Sequence, residues 1–195
     1  MTTKRILLIN GHPREGSLCD ALADAYEQGL KRAGHIYKRT NLRDLTFELN
    51  LNNTNIRKEL EPDLKQAQKD IEWCSHLVLV TPVWWMSVPA LTKGFFDRTL
   101  LPGWAYKYRK GSLIPFPVPF LKGRSARVLY TQGGPTWISR FIVLDAFWRS
   151  LKYATLVFCG FGPVRRTVFP YVSRSTDHLR AAWIAKAELL GKKAA

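Results

Sequence analysis

The chain has 195 residues, 46% of them apolar, and a formal net charge of +15. That length suits one domain over residues 1–195, with two small ones the alternative, and that apolar share is enough to bury a proper core, which argues against disorder over the whole chain. No apolar run is long enough to cross a bilayer, and Met1–Asn10 is too short for a signal peptide.

Lys4–Asn10 reads as a buried strand. Gly11–Gly16 reads as a loop, and Ser17 as the N-cap of a helix. Behind it Leu18, Ala21, Leu22, Ala25, Tyr26, Gly29 and Leu30 form one apolar stripe at helical spacing, which Gly34 ends. His35–Thr40 is a weak strand expected near a sheet edge. Asn41–Glu61 is polar and reads mostly as loop. Pro62 suits the first turn of a helix running to about Cys74. Leu77–Val80 is a short apolar run of strand character, followed by a helix over Val88–Leu100. Between them lies Pro82-Val83-Trp84-Trp85-Met86, with two adjacent indoles just past a strand end.

Leu101–Gly123 holds Pro102, Pro115, Pro117 and Pro119, a density that predicts no regular structure. A loop so long is expected to be functional or part of an interface. Ala126–Thr131 is another strand, ending in Gln132-Gly133-Gly134. Ser139–Phe158 has mixed helical character, and Gly162–Pro170 supplies a last strand. Ser175–Leu190 closes as an amphipathic helix with Leu179, Ala182, Trp183, Ala185, Leu189 and Leu190 facing inward or nearly so. Strands alternating with helices predict an α/β fold. Five strands at this length suit a flavodoxin-like doubly wound parallel sheet with helices on both faces.

The charge is uneven: from Arg98 to Thr176 the only acidic residue is Asp145. Such a field attracts anions, whether a phosphorylated cofactor, a nucleic acid or an acidic membrane surface. A plain solvated basic face carries equal weight, and no nucleic-acid-binding motif is present, so no nucleic-acid partner is expected. Cys19, Cys74 and Cys159 form no paired or zinc-type spacing. They read as buried reduced thiols of a cytoplasmic protein, and no metal site is expected. His35, His76 and His178 stand alone and read as structural or solvated.

In a doubly wound sheet the loops after alternate strands meet at one edge. Here those loops are Gly11–Ser17, Pro82–Met86 and Thr131–Gly134. The first leads into a helix N-terminus, where free amides and the helix dipole favour a phosphate, with His12 and Arg14 beside it. It lacks both the Rossmann glycine spacing and the Walker lysine. Trp84 and Trp85 offer planar faces to a flat ring, or else fill core or interface. Gly133 and Gly134 let the backbone approach a ligand edge. Together the three describe a phosphate loop, an aromatic loop and a glycine loop, the parts a flavin mononucleotide needs.

A more specific pattern runs through the same segments. Gly11-His12-Pro13 with Ser17 comes first, then Pro82-Val83-Trp84-Trp85 with Val88-Pro89-Ala90, Lys93-Gly94 and Asp97-Arg98. Trp104-Ala105-Tyr106, Thr131 with Gly133-Gly134, and Phe158-Cys159-Gly160-Phe161 follow in order. This pattern, over Arg5–Phe161, resembles the NAD(P)H:quinone oxidoreductases, a group of flavodoxin-like flavoproteins. The group includes quinone reductases, modulator-of-drug-activity proteins and ancillary flavoproteins of potassium-efflux systems. The resemblance implies that His12, Ser17, Leu18 and Cys19 surround the flavin phosphate and ribityl chain. It implies that Pro82, Val83, Trp84, Trp85 and Met86 lie against the isoalloxazine, with Thr131, Gln132, Gly133 and Gly134 at its polar edge. Trp104, Ala105 and Tyr106 are then expected to line the nicotinamide or quinone pocket, contributed by the partner subunit of a homodimer.

The pattern departs at one place. Mammalian-type members carry a tyrosine and a histidine after the glycine loop to steer protons. This chain has Pro135-Thr136-Trp137-Ile138-Ser139 there, and Asp145 at the histidine's place. Trp137 is expected to cover the flavin instead. The segment after the second strand is shorter than in FAD-binding members, which favours FMN, with FAD the alternative. The implied activity is ping-pong hydride transfer from NAD(P)H to a quinone or similar small acceptor. The alternative is an ancillary subunit that meets a membrane transporter through the basic surface and Pro115–Phe120.

Overall fold

A computed structural model describes residues 4–52, 59–109 and 116–194. Residues 53–58 of the expected Asn41–Glu61 loop, and Pro115 of the expected docking segment, lie outside the described residues.

Five strands form a parallel sheet: β1 (Arg5–Asn10), β2 (Ile36–Asn41), β3 (His76–Pro82), β6 (Ser125–Thr131) and β7 (Val164–Phe169). Their spatial order is β2-β1-β3-β6-β7, the flavodoxin-like doubly wound order. The order reverses between β1 and β3, so a crevice opens beyond their carboxyl ends. The strands buried on both faces read as unbroken apolar runs, as parallel sheets require. β3 is buried at every position, whereas the edge strand β2 is buried at none.

One face of the sheet carries α2 (Pro62–Trp73) and α3 (Ala90–Thr99), packed over Leu7, Ile9, Leu77, Leu79, Val128 and Tyr130. The other carries α1 (Leu18–Arg32) and α5 (Asp177–Lys193) over Ile6, Leu8, Val78, Val80 and Leu129. The alternation of these two sets along β1 and β3 is the period of two expected of strands. Where α1 crosses α5 the backbones nearly touch. A Cβ on Gly29 would sit 2.1 Å from the Glu188 carbonyl oxygen, and one on Gly191 would sit 2.0 Å from that of Tyr26.

This crossing corrects the expected inward face of α5. Trp183, Ala187 and Gly191 are buried, while Leu179, Ala182, Ala185 and Leu189 are exposed. The glycine contact, rather than the leucines, fixes the rotation of the helix.

The proline-rich segment is a second correction. It contains a two-stranded antiparallel arm, β4 (Tyr106–Tyr108) with β5 (Pro117–Pro119). Proline removes a donor, but a two-stranded ribbon leaves one edge of each strand unpaired, and Val118 between the prolines keeps its N–H. The mixed helical segment resolves into π-helical turns at Ile138–Ile142 and Ser150–Val157, flanking α4 (Ala146–Arg149). Cys19, Cys74 and Cys159 are free and buried. Among the described residues no helix is long and apolar enough to cross a membrane.

Candidate functional site

The carboxyl ends of β1, β3 and β6 place three loops on one rim, joined by backbone hydrogen bonds. Gly11 N–H donates to the Val80 carbonyl at 2.8 Å, and Val83 N–H to the Thr131 carbonyl at 2.8 Å. The three loops enclose two adjoining hollows. One, of about 440 Å³, is lined by His12, Arg14, Ser17, Leu18, Cys19, Pro82, Val83, Trp84, Thr131, Gln132, Gly133, Val172 and Ser173. The other, of about 420 Å³, is lined by Val83, Trp85, Met86, Gln132, Gly133, Gly134, Pro135, Ile138 and Ser139. Each falls within the range of about 300–1,000 Å³ usual for small-molecule sites.

The first hollow meets the N-terminus of α1. Ser17 caps it: its Oγ accepts from Asp20 N–H at 3.2 Å, and Asp20 Oδ2 accepts from Ser17 N–H at 3.0 Å. This capping box is worth about 1 kcal/mol to the helix. Burial alone raises the Asp20 pKa, but hydrogen bonds from Arg43, Ser17 N–H and Asn10 outweigh it and hold the carboxyl below its ordinary value. Arg43 Nη1 donates to Asp20 Oδ1 at 2.7 Å. Nothing in the sequence pattern singled out Arg43 or Asn10, because neither lies on the rim loops.

His12 is buried, and burial lowers its pKa, so its ring is neutral at physiological pH. Its Nδ1 lies 3.1 Å from the Arg14 N–H and 3.2 Å from the Arg14 carbonyl oxygen, so the Arg14 backbone holds the ring on that side in either tautomer. The His12 and Trp84 rings meet edge to face, with centroids 5.6 Å apart. The Cys19 thiol is pushed up to about 12 by burial. It stays protonated and offers no thiolate.

The aromatic loop is a tight two-residue turn. Trp84 and Ser87 exchange two backbone hydrogen bonds of 2.9 Å, and the residues between them are left-handed, Trp85 at φ 51° and Met86 at φ 53°. Bulky residues in that region are strained by about 1–2 kcal/mol each. Trp85 is 100% exposed, so it contributes nothing to the core that would offset the strain. Trp84 and Met86 are also exposed. Core filling therefore does not account for the loop.

The glycine loop is open. A Cβ built on Gly133 or Gly134 meets no atom within 4 Å. Gln132 braces the loop from behind: its Nε2 donates to the Gly134 carbonyl at 2.9 Å and to Ser139 Oγ at 3.0 Å. Gln132 thus lines both hollows while its amide nitrogen holds the loop.

The Flavodoxin_2 family, of flavodoxin-like fold, matches residues 4–190. This chain belongs to that family. A 122-residue stretch is 33% identical to the uncharacterized NAD(P)H oxidoreductase YcaK of Escherichia coli, covering 60% of this chain and 61% of that protein. The rat ribosyldihydronicotinamide dehydrogenase [quinone] is 22% identical over 99% of this chain and 94% of its own length. The FMN-dependent NADH-azoreductase of Bacillus anthracis, solved in complex with FMN, shares the fold with a TM-score of 0.77. It is 17% identical over 99% of this chain and 100% of that one.

The flavodoxin-like frame places the remaining expected residues as follows. Leu18 and Pro82 lie in the first hollow with His12, Ser17 and Cys19. Trp104, Ala105 and Tyr106 line neither hollow of their own chain. Ala105 is fully buried, Trp104 Nε1 donates to Glu72 Oε1 at 2.7 Å, and Tyr106 packs on Phe158 with ring centroids 4.7 Å apart. Trp137 is exposed beside the second hollow without lining it. Asp145 is tied to Arg166 Nη1 at 2.6 Å, and Arg166 also donates to the Tyr130 hydroxyl at 3.3 Å. Neither Trp137 nor Asp145 is brought onto the groove. Val172 and Ser173 are the lining residues that loops after alternate strands do not predict. They follow β7, whose carboxyl end lies on the same rim as that of β6.

Proposed function

We propose that this protein is a flavin-dependent NAD(P)H oxidoreductase that reduces a quinone-type acceptor by a ping-pong mechanism, with FMN as its cofactor. That the chain is an oxidoreductase follows from its relatives, which are NAD(P)H oxidoreductases and quinone dehydrogenases. The observation that carries the finer reading is the rim itself: a helix N-terminus, a strained and exposed indole turn and an open glycine loop around two joined hollows. Those donors suit a phosphate, a flat ring and a polar ring edge in that order. FMN is favoured over FAD by the azoreductase of the same fold that was solved with FMN.

When bound, the flavin supplies the redox chemistry, accepting hydride from NAD(P)H and passing both electrons to the acceptor. The protein's task is to bind and orient. The α1 amides and the Ser17 hydroxyl hold the phosphate. His12 adds a neutral imidazole rather than a full charge. Trp84 and Trp85 confine the ring, and the amides of Gly133 and Gly134 face its polar edge. No side-chain nucleophile is required, in keeping with a Cys19 thiol held protonated.

A homodimer belongs to this proposal. Phe141, Ile142 and Leu144 are each more than 60% exposed on one segment, a grouping more typical of an interface than of a monomer surface. Of the three residues expected to reach the partner's pocket, Tyr106 is the one on the β4–β5 arm outside the main sheet. The relatives' reductase names do not favour the transporter-subunit reading. Rapid mixing of FMN-loaded protein with NADH or NADPH, then with benzoquinone, tests the activity. Loss and return of the flavin's visible absorption is expected; a flavin that neither nucleotide bleaches would refute the reading.

A further inference from the structure

One wall of the second hollow is built by Pro135, Ile138 and Ser139, which line that hollow and not the first. We propose that Asp145 and Arg166 are positioning residues for this wall: their ion pair fixes the corner that ends the wall segment, and so sets how tightly the second hollow takes a small molecule. Neither residue lines a hollow itself. Which molecule enters rests on the reductase reading; the hold on the wall does not.

Residues 133–146 are all exposed or half-buried, so the wall segment has little apolar packing to keep it in place. Its near end is tied to Gln132, whose Nε2 donates to Ser139 Oγ at 3.0 Å. At its far end the chain turns a sharp corner before Phe147 and Trp148, which are buried. Leu144 and Asp145 make that corner, both left-handed, at φ 50° and 58°. That region suits an aspartate better than a leucine. Leu144 is 64% exposed, so packing does not offset its strain. The contacts of Asp145 hold the corner instead. Its N–H donates to the Ser139 carbonyl at 2.7 Å, and its Oδ2 accepts from Arg166 Nη1 at 2.6 Å.

Arg166 is itself well anchored. It stands on β7, in register with Val128 of β6. Its guanidinium lies 5.1 Å from the Trp148 ring centroid, and its Nη1 lies 3.3 Å from the Tyr130 hydroxyl. It therefore grips both the residue at the corner and the buried indole just beyond it. The Arg166 and Asp145 side chains are 25% and 22% exposed. A charge-assisted hydrogen bond between groups so covered is stronger than a neutral one and only partly screened. Asp145 is the only acidic residue from Arg98 to Thr176, so no other acid in that span can take its place. The clasp thus runs from Arg166 through Asp145 and Ser139 to Gln132, and the wall lies along it.

Asp145→Asn removes the charge but keeps the shape and a residue that tolerates left-handed backbone; Arg166→Met removes the other partner. Amide exchange over residues 136–145 of the full chain, followed by mass spectrometry, is expected to quicken roughly tenfold or more in each variant, with β1 and β3 unchanged. FMN-loaded protein is then assayed with the better of NADH and NADPH and with benzoquinone. The KM for benzoquinone is expected to rise roughly fivefold or more, with kcat within about twofold of wild type and the FMN content kept. Arg165→Gln, which removes a charge from the neighbouring residue, is expected to leave exchange and KM at wild type. Unchanged exchange in both variants would overturn the proposal. So would quicker exchange with an unaltered KM, or a KM change that disappears once variant and wild type are matched in oligomeric state. Wild-type protein that does not turn over defeats the reductase reading alone, and the exchange rates still decide the clasp.

Discussion

Replacing Trp85 separates what this residue does for the fold from what it does for the ligand. Its side chain is fully exposed and its backbone is left-handed at φ 51°. Trp85→Ala removes the indole but keeps a Cβ in the disfavoured region. Trp85→Gly removes both. Without core packing to lose, the two variants differ chiefly in backbone strain. Glycine relieves about 1–2 kcal/mol of it and gives back roughly 0.5–1 kcal/mol in chain entropy. Trp85→Gly is therefore expected to be as stable as Trp85→Ala or up to about 1.5 kcal/mol more stable, read from urea midpoints of the apoproteins. Ligand binding should move differently. If the indole covers about 100 Å² of the flavin ring, its loss costs about 2.5 kcal/mol at ~25 cal/mol/Å². That raises the FMN Kd by roughly 50- to 100-fold in both variants, measured by quenching of flavin fluorescence. Wild-type FMN affinity in Trp85→Ala would refute the ring contact. A glycine variant clearly less stable than the alanine one would refute the strain.

Gly133→Val places its side chain in open space, so the melting temperature should stay within a few degrees of wild type while FMN affinity falls at least tenfold; calorimetry and the fluorescence titration read the two. Gly29→Ala drives a Cβ to 2.1 Å from the Glu188 backbone, and a loss of about 1–3 kcal/mol or more is expected in urea unfolding. Glu27 gives a pH dependence. Burial opposes its ionisation, but Lys31, Arg39 and Tyr37 hydrogen-bond it and lower its pKa to about 2. Its folded pKa lies below the unfolded value, so the stabilisation is complete above about pH 4.3 and is lost as pH falls toward 2. Glu27→Gln should flatten that limb of the stability curve. An unchanged acid limb would contradict the assignment.

The parts of the fold legible in the sequence are those set by local pattern. The apolar runs of β1 and β3, the Ser17 cap and the Pro62 helix start needed no tertiary information. The parts that were not legible depend on partners distant in the chain. Leu179 and Leu189 fit an apolar helix face, yet the contact of Gly191 with α1 turns them to solvent. Pro117 and Pro119 argue against a strand until an unpaired ribbon edge makes the missing donors harmless.

The site divides in the same way. Its three loops were readable because each has a chemical signature: a cap, paired indoles, paired glycines. Val172 and Ser173 carry no such signature and reach the rim only because β7 pairs with β6. Gln132 lines both hollows, and its hydrogen bonds to Gly134 and Ser139 make it a brace of the loop as well, which its place in the sequence did not reveal. Asp145 occupies the place of a proton-steering histidine in sequence, but Arg166 claims it in space.

The most direct test of the proposal that the rim groove binds a flavin is reconstitution. The purified apoprotein, titrated with FMN and filtered free of excess, is expected to retain one flavin per chain, and inorganic phosphate at high concentration is expected to weaken that retention. A colourless protein that takes up neither FMN nor FAD under the same conditions would contradict the account.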